Sequence, residues 1–363
     1  MMYFSATYKE ARAKFKQSAH DVGATVQSIG LTSGYEVDVA SVGSTDKPTL
    51  ILSSALHGVE GFAGSAVQLA VLDALQSGFA SVELAEQICM VFVHGINPFG
   101  FENIRRFDEN NIDLNRNFPL HQQQYRGSPE AYQKLNSFLN PQSPPSTIEP
   151  YRLRAAFNIM RYGLPALKEA IVCGQYQYPQ GIFYGGSEPS IATKFVMTHC
   201  KEWVSGAEKV SHIDIHTGLG EFATYKILIN EAPSADNHNW YLQTFGEEFV
   251  STMDNKDETA YTVNGAMGTW LQQYFSDRSY YFAGAEFGTY DPVRVLGAIR
   301  SENRAHYYAS ADSKAYRKAK AELLECFCPA SEQWRKQVID SSMQIVTAAI
   351  EGLLRADRES KLK

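Results

Sequence analysis

Two short segments with continuously apolar centres constrain the fold more than any other feature of the sequence. Residues 48–56 (KPTLILSSA) and 87–94 (QICMVFVH) have the length of strands, and their apolar centres predict burial on both faces. Between them, residues 62–77 carry apolar side chains at helical spacing. Buried strands joined by helices are typical of a parallel or mixed sheet that is covered by helices. The sequence therefore predicts an α/β fold.

The alternation of strands and helices continues along the chain. Further strands are predicted over residues 35–42, 208–216, 224–229 and 280–287, and further helices over residues 6–20, 265–275, 291–309, 313–325 and 331–355. Residues 121–200 interrupt this pattern with proline- and glycine-containing stretches, which predicts an insertion that builds or covers a site. We expect a single domain over residues 1–363 with a helical C-terminal part at about 291–355. Its expected architecture is three-layer α/β/α around a mixed, mostly parallel, twisted sheet.

Composition and charge argue against several classes of function. The formal net charge is −7, and no block of lysine and arginine is present that would follow a nucleic-acid backbone. No run of 18 apolar residues occurs, and the first 21 residues lack the apolar core of a signal peptide. The five cysteines are scattered and odd in number, which favours reduced thiols over a disulfide framework. We expect a cytoplasmic protein without nucleic-acid or membrane partners; its oligomeric state stays open.

Four polar residues lie at the carboxyl ends of predicted strands, where α/β sheets bind ligands. His57 and Glu60 follow the strand 48–56, His216 ends the strand 208–216, and Glu286 lies near the end of 280–287. Two imidazoles and one carboxylate form a common catalytic zinc set. A further carboxylate can take a proton from the attacking water. By themselves, His57 and Glu60 are equally compatible with a hydrogen-bonded pair at a helix start.

These residues, together with the segment RRFDENNIDLNRNF at 105–118, resemble the zinc carboxypeptidase family M14. The matching motifs, in family order, are His57-x-x-Glu60, Arg106, Asp113-Leu114-Asn115-Arg116-Asn117-Phe118, Asp214-x-His216 and Glu286. Within the family, the chain is closer to the DUF2817 branch than to the digestive enzymes. Its HGxE turn is also similar to that of the aspartoacylase and succinylglutamate desuccinylase group. The resemblance implies a carboxypeptidase-like fold.

The resemblance also implies a zinc site. His57, Glu60 and His216 would hold one Zn²⁺, although such a set accepts other divalent ions during purification. Asp113 would accept a hydrogen bond from the far nitrogen of His57 and so fix its ring. Glu286 would act as general base towards the attacking water and then as general acid towards the leaving amine.

The remaining matched residues are implied to bind substrate. Asn115 and Arg116 would hold a substrate carboxylate, and Arg106 would neutralise charge on the carbonyl oxygen. The adjacent Arg105 stays open as an alternative to Arg106. The family also has a substrate-binding tyrosine, for which Tyr261 is the weak preference. The other candidates are Tyr274, Tyr280 and Tyr281.

The implied function is a zinc-dependent hydrolase that cleaves an amide bond of a small peptide near a free carboxylate. A deacylase of N-acyl amino acids with the same metal chemistry is the first alternative. A non-catalytic metal-binding protein of the same fold is the second, and the presence of Glu286 argues against it. The sequence contains neither the GxSxG turn of serine hydrolases nor the HExxH pair of thermolysin-like enzymes.

Overall fold

The computed structural model describes residues 2–44, 46–78, 87–120, 125–146, 148–229, 235–252 and 264–361. Its strands are β1 Thr25–Gly30, β2 Glu36–Val42, β3 Thr49–Ser53, β4 Cys89–His94, β5 Lys209–Thr217, β6 Tyr225–Ile229, β7 Val250–Thr252 and β8 Ser279–Phe287. They form one sheet in the order β1-β2-β4-β3-β5-β8-β6-β7. The central run β4-β3-β5-β8 is parallel, as is β6-β7, while the remaining neighbours are antiparallel. The predicted mixed, mostly parallel sheet is confirmed.

Helices cover both faces of this sheet. They are α1 Tyr8–Asp21, α2 Gly61–Gln76, α3 Pro98–Glu102, α4 Glu130–Leu139, α5 Tyr151–Tyr162, α6 Leu164–Val172, α7 Ile191–Val204, α8 Ala235–Phe245, α9 Met267–Tyr274, α10 Pro292–Tyr308, α11 Lys314–Phe327 and α12 Glu332–Lys361. Helices α1, α2, α8 and α12 pack with the strands in one hydrophobic core. Helices α7 and α9 pack on the opposite face in a second core. The three-layer α/β/α architecture is therefore confirmed.

Strand β5 shows how the two cores divide the sheet. Its side chains alternate, so Ile213 and Ile215 lie in the first core while Val210 lies in the second. His212, Asp214 and His216 share the face of Val210 by the same period of two. The central strands thus carry polar side chains on the face that is covered by α7 and α9.

The sequence did not predict every element. Strand β1 was missed because its six residues, TVQSIG, are mostly exposed and lack an apolar run. Residues 121–200 contain four helices, α4 to α7, among their described residues. Helices α4, α5 and α6 help form a third core together with α10 and α11. Helix α7 instead packs on the sheet, which the proline- and glycine-containing stretches around it did not suggest.

Two further findings concern the cysteines and the helices. Each of the five cysteines is a free thiol. Among the described residues, no helix combines the length and apolar character that crossing a membrane requires.

Candidate metal centre

The turn after β3 explains the small residues around His57 and Glu60. The predicted strand 48–56 ends early, at Ser53, and Ala55 adopts a positive φ of 60° that redirects the chain. Gly58 lies so close to the backbone of Gly100 that an added Cβ would be 2.1 Å from its carbonyl carbon. The Gly58 and Val59 amides donate to Arg106 O and Arg105 O at 3.1 and 2.7 Å. Only glycine, which has no Cβ, fits this contact.

Three predicted ligands converge at the carboxyl ends of β3 and β5. His57 Nδ1 lies 2.9 Å from Glu60 Oε1, and His216 Nδ1 lies 2.9 Å from Glu60 Oε2. One ligand atom from each of the three residues falls within 4.8 Å of the others, and all three side chains are buried. The donor set of two imidazoles and one carboxylate suits a divalent metal such as zinc. The cluster is therefore a candidate divalent-metal site.

A second carboxylate stands behind each imidazole. His57 Nε2 lies 3.1 Å from Asp113 Oδ1, and His216 Nε2 lies 2.7 Å from Asp214 Oδ2. Both aspartates are completely buried. A carboxylate at Nε2 favours a proton there and leaves Nδ1 free as a ligand, so the ring of His216 is arranged to offer Nδ1. At His57 a nitrogen of Arg106 also lies 2.7 Å from Nε2, and Nδ1 becomes a free ligand atom only when that arginine is displaced. Asp214 was part of the predicted Asp214-x-His216 motif, but no position relative to the His216 ring was predicted for it.

The electrostatics of this cluster favour a cation. Burial opposes ionisation of Glu60, but the facing imidazoles of His57 and His216 outweigh it and lower the pKa of Glu60 to about 2. Burial also opposes protonation of His216, but Asp214 and Glu60 raise the pKa of His216 well above its usual value. The carboxylates thus stabilise a positive charge on His216. A divalent cation bound between the candidate ligands would be stabilised by the same carboxylates.

Glu286 lies beside the cluster on the neighbouring strand β8. It is the register partner of His216, so the two side chains leave the same face of the parallel pair. Its Oε1 accepts a hydrogen bond from the amide of Leu219 at 2.8 Å. Burial and the nearby negative charge of Glu60 raise the pKa of Glu286 to about 7. The structure thus places a poorly solvated carboxylate next to the candidate ligands.

The two neighbouring arginines have different surroundings. Arg106 Nε donates to Asp113 Oδ2 at 2.9 Å, and its Nη2 lies 2.7 Å from His57 Nε2. Arg105 is completely buried and pairs at 3.1 Å with Glu302, which lies on α10. Of the two arginines, Arg106 is therefore the one that contacts the candidate metal cluster.

Asn115 and Arg116 lie on the turn Leu114–Arg116, next to Asp113. Asn115 Oδ1 accepts a hydrogen bond from the Met267 amide at 3.1 Å, which directs the donor end of its amide away from Met267. Arg116 is buried and donates through Nη1 to Asn115 O, while its Nε has no hydrogen-bond partner among the described residues. A buried, incompletely paired guanidinium is suited to an anionic ligand.

The tyrosine predictions have separate outcomes. Tyr261 lies outside the described residues. Tyr280 and Tyr281 are buried in β8, and Tyr274 is partly exposed at the end of α9. Tyr176 was not anticipated; its hydroxyl donates to Arg116 O at 2.8 Å, and no spacing in the sequence indicated this contact.

Comparison with known proteins assigns the chain to a family. Residues 4–341 match the model of a family described as "Protein of unknown function (DUF2817)". The chain belongs to the DUF2817 family. No curated protein matches this DUF2817 sequence.

Among solved structures, this DUF2817 chain is similar to a carboxypeptidase A from Helicoverpa armigera. The TM-score is 0.52 at 13% identity, covering 88% of this chain and 73% of the other. It is also similar to bovine thrombin-activatable fibrinolysis inhibitor, solved with a tick carboxypeptidase inhibitor, at a TM-score of 0.49, 12% identity and coverage of 94% and 100%. A Pseudomonas aeruginosa metallo-carboxypeptidase, solved with (2-guanidinoethylmercapto)succinic acid, gives 0.44, 12%, and 92% and 71%. The first similarity shows the carboxypeptidase-like fold of the DUF2817 chain.

Proposed function

We propose that this protein is a zinc-dependent hydrolase that cleaves an amide bond of a small peptide near a free substrate carboxylate. The observation that carries the proposal is the convergence of His57, Glu60 and His216, with Glu286 on the adjoining strand. A metal-ligand set beside a separate carboxylate is the arrangement that metal-assisted hydrolysis requires.

His57 and His216 would hold the metal through Nδ1, and Glu60 through the carboxylate that both of these nitrogens already face. When bound, zinc supplies Lewis acidity, which polarises a carbonyl and lowers the pKa of water. For His57 Nδ1 to be a ligand, Nε2 must carry the proton and donate to Asp113. Arg106 Nη2, now 2.7 Å from that nitrogen, would then have to withdraw because both groups would be donors.

Glu286 would move the proton during hydrolysis. Its carboxylate would accept a proton from the attacking water and return it to the leaving amine. Burial supports this role because a poorly solvated carboxylate is a stronger base than one in water. The Leu219 amide at 2.8 Å would hold one oxygen in place while the other remains available.

Two arginines and an asparagine would position the substrate. Arg116 and Asn115 would bind the free carboxylate, which is supported by the unpaired, buried Nε of Arg116. Arg106, released from His57, would face the carbonyl oxygen on which negative charge develops. Tyr261 remains a proposed substrate contact, on the family resemblance alone.

Zinc analysis and a substrate panel test the proposal together. The purified protein is expected to bind one zinc ion per chain and to hydrolyse short peptides with a free carboxylate faster than their C-terminally amidated counterparts. N-acyl amino acids in the same panel decide between peptidase and deacylase. If only the N-acyl amino acids are hydrolysed, the protein is a deacylase and the proposed peptide substrate is wrong. A failure to bind zinc would refute the metal centre.

A further inference from the structure

A chain of buried polar groups extends from β8 through β5 and β3 to the candidate ligand His216. The Tyr280 hydroxyl lies 2.7 Å from His212 Nδ1, and His212 Nε2 lies 2.7 Å from Ser53 Oγ. Ser53 Oγ donates to Asp214 Oδ1 at 2.6 Å, and Asp214 Oδ2 lies 2.7 Å from His216 Nε2. Five side chains on three adjacent strands are thus joined by four short contacts.

This chain of polar groups is buried in an apolar layer. Ser53, His212 and Asp214 have no exposed surface, and Tyr280 is only 3% exposed. Their neighbours on this face of the sheet include Ile51, Val210 and Phe282 of the second core. Burying polar groups in such surroundings is unfavourable unless each finds a partner, and the hydrogen bonds between them restrict their orientations. For Asp214 Oδ2 the partner is the His216 ring, at an ion-pair distance.

The donors in this chain can be arranged in only one consistent direction. The Asp214 carboxylate has no proton to give, so the single hydroxyl proton of Ser53 must point to it. Ser53 Oγ can then only accept from His212, which places the ring proton of His212 on Nε2. His212 Nδ1 is left as an acceptor for the Tyr280 hydroxyl. Burial lowers the pKa of His212 to about 4, which keeps its ring neutral.

We infer that Tyr280, His212 and Ser53 are positioning residues that act through Asp214 on His216. Together they orient the Asp214 carboxylate, which fixes the proton of His216 at Nε2 and presents its Nδ1 to Glu60 and to a metal. This inference rests on the proposed metal centre and extends it: affinity for zinc depends on the Tyr280 hydroxyl, which three hydrogen bonds and the Asp214–His216 contact separate from His216.

Zinc affinity measured by competition with a chromophoric chelator tests the inference. Ser53→Ala is expected to weaken zinc binding about tenfold, the lower end of the effect of removing groups that support metal ligands. Tyr280→Phe is expected to weaken it by a smaller factor. Ser211→Ala is the matched control, because Ser211 is equally buried on β5 but its hydroxyl has no partner among the described residues. The control should bind zinc as the wild type does.

The double variant Ser53→Ala/Tyr280→Phe tests whether the two residues act through one connected series of hydrogen bonds or have independent structural roles. If the chain operates, removal of Ser53 disconnects Tyr280, so the double variant binds zinc as Ser53→Ala does. If the losses of zinc affinity in the two single variants multiply in the double variant, the inference is overturned. Wild-type zinc affinity in Ser53→Ala would also overturn it. Unfolding midpoints of all variants measure how far each change disturbs the fold.

Nitrogen-15 NMR of the histidine rings provides a readout that needs no metal. His212 is expected to carry its proton on Nε2 and to have a bare Nδ1; a proton on Nδ1 would overturn the inference. If the wild type binds no zinc, the proposed function fails, whereas the direction of the chain is still decided by the His212 proton.

Discussion

At the scale of single residues, Glu286 has the surroundings that matter most for chemistry. It is buried beside a candidate metal cluster, and one of its oxygens is held by the Leu219 amide. The neighbouring carboxylate of Glu60 repels a second negative charge. A cation bound between the two would relieve that repulsion, so the ionisation of Glu286 and the occupancy of the site are coupled.

Glu286→Gln tests the assignment of the general base. The amide has nearly the same shape but no proton affinity, so kcat is expected to fall about 10²- to 10⁴-fold. Zinc content should stay at the wild-type level because Glu286 is not a proposed ligand. Glu221→Gln, an exposed change on the neighbouring loop, is the control and should keep full activity. Wild-type turnover by Glu286→Gln would refute the proposed mechanism.

The pH dependence of hydrolysis should report the same group. As a base, Glu286 must be ionised, so kcat/KM is expected to rise with pH as its carboxyl loses the proton. Burial raises the pKa of Glu286 from 4.5 to about 7 without a metal, and a bound cation lowers it. The midpoint of the acidic limb should therefore lie between these two values. A rate that increases as the pH falls through this range would contradict the assignment.

The residues of the centre could be predicted because each belongs to a short motif at a strand end. His57, Glu60 and His216 follow that rule, and the structure brings them together. The chain behind His216 could not be predicted, because Ser53 and Tyr280 depend on strand order and register. Nothing in the local sequence identifies the hydrogen-bond partner of a serine in an apolar strand.

At the scale of elements, the turn after β3 positions two of the three candidate ligands. It is held from outside by backbone hydrogen bonds to Arg105 and Arg106 and by the contact of Gly58 with Gly100. The same segment, residues 100–106, carries Arg106 to the cluster. A disturbance of this contact is therefore expected to move the ligands and the arginine together.

Gly58→Ala tests the importance of this contact. The added methyl group would overlap the backbone of Gly100, which has no side chain to move aside, so the free energy of unfolding is expected to fall by about 1–3 kcal/mol. Zinc affinity should fall as well. Gly30→Ala is the control, because nothing lies within 4 Å of its added Cβ. Urea unfolding measures the stability of both variants. Equal stability of the two would contradict the role of the contact.

Elements with a strong hydrophobic period could be predicted, and those without it could not. The apolar runs predicted β3, β4 and β8 to within a few residues. Strand β1 is mostly exposed and, among the described strands, pairs only with β2, so its sequence carries little pattern. Helices α4 and α6 bury apolar residues in the third core with α10 and α11, whereas α5 contributes Ala155 and leaves Leu153, Phe157 and Met160 exposed, which the local sequence did not reveal.

At the scale of the whole molecule, the sheet joins the two principal cores. Trp334 is buried on one face and Trp203 on the other, and the central strands between them lead to the candidate metal cluster. The third core includes Val59, which lies between the candidate ligands His57 and Glu60, and Phe107, which follows Arg106. We propose that residues 1–363 form a single metallopeptidase domain.

A single domain should unfold in one cooperative step. Tryptophan fluorescence reports the buried indoles of both cores, while far-UV circular dichroism reports the helices. Their transitions in urea are expected to coincide, and zinc should shift both to higher denaturant by the same amount. Two separated transitions, or a zinc shift confined to one probe, would contradict the single domain.

The order of strands in the sheet has a consequence for synthesis on the ribosome. Strand β8 lies between β5 and β6, although residues 279–287 emerge long after both neighbours. Glu60 must likewise wait for a partner 156 residues further along, His216. Contacts so distant in the chain form slowly, and unpaired strand edges stay open meanwhile. The part of the sheet that contains β5, β8 and β6 therefore cannot be completed until β8 has been synthesised, whereas β1 to β4 can pair earlier. Any capture of a metal by the three candidate ligands has to follow the synthesis of His216.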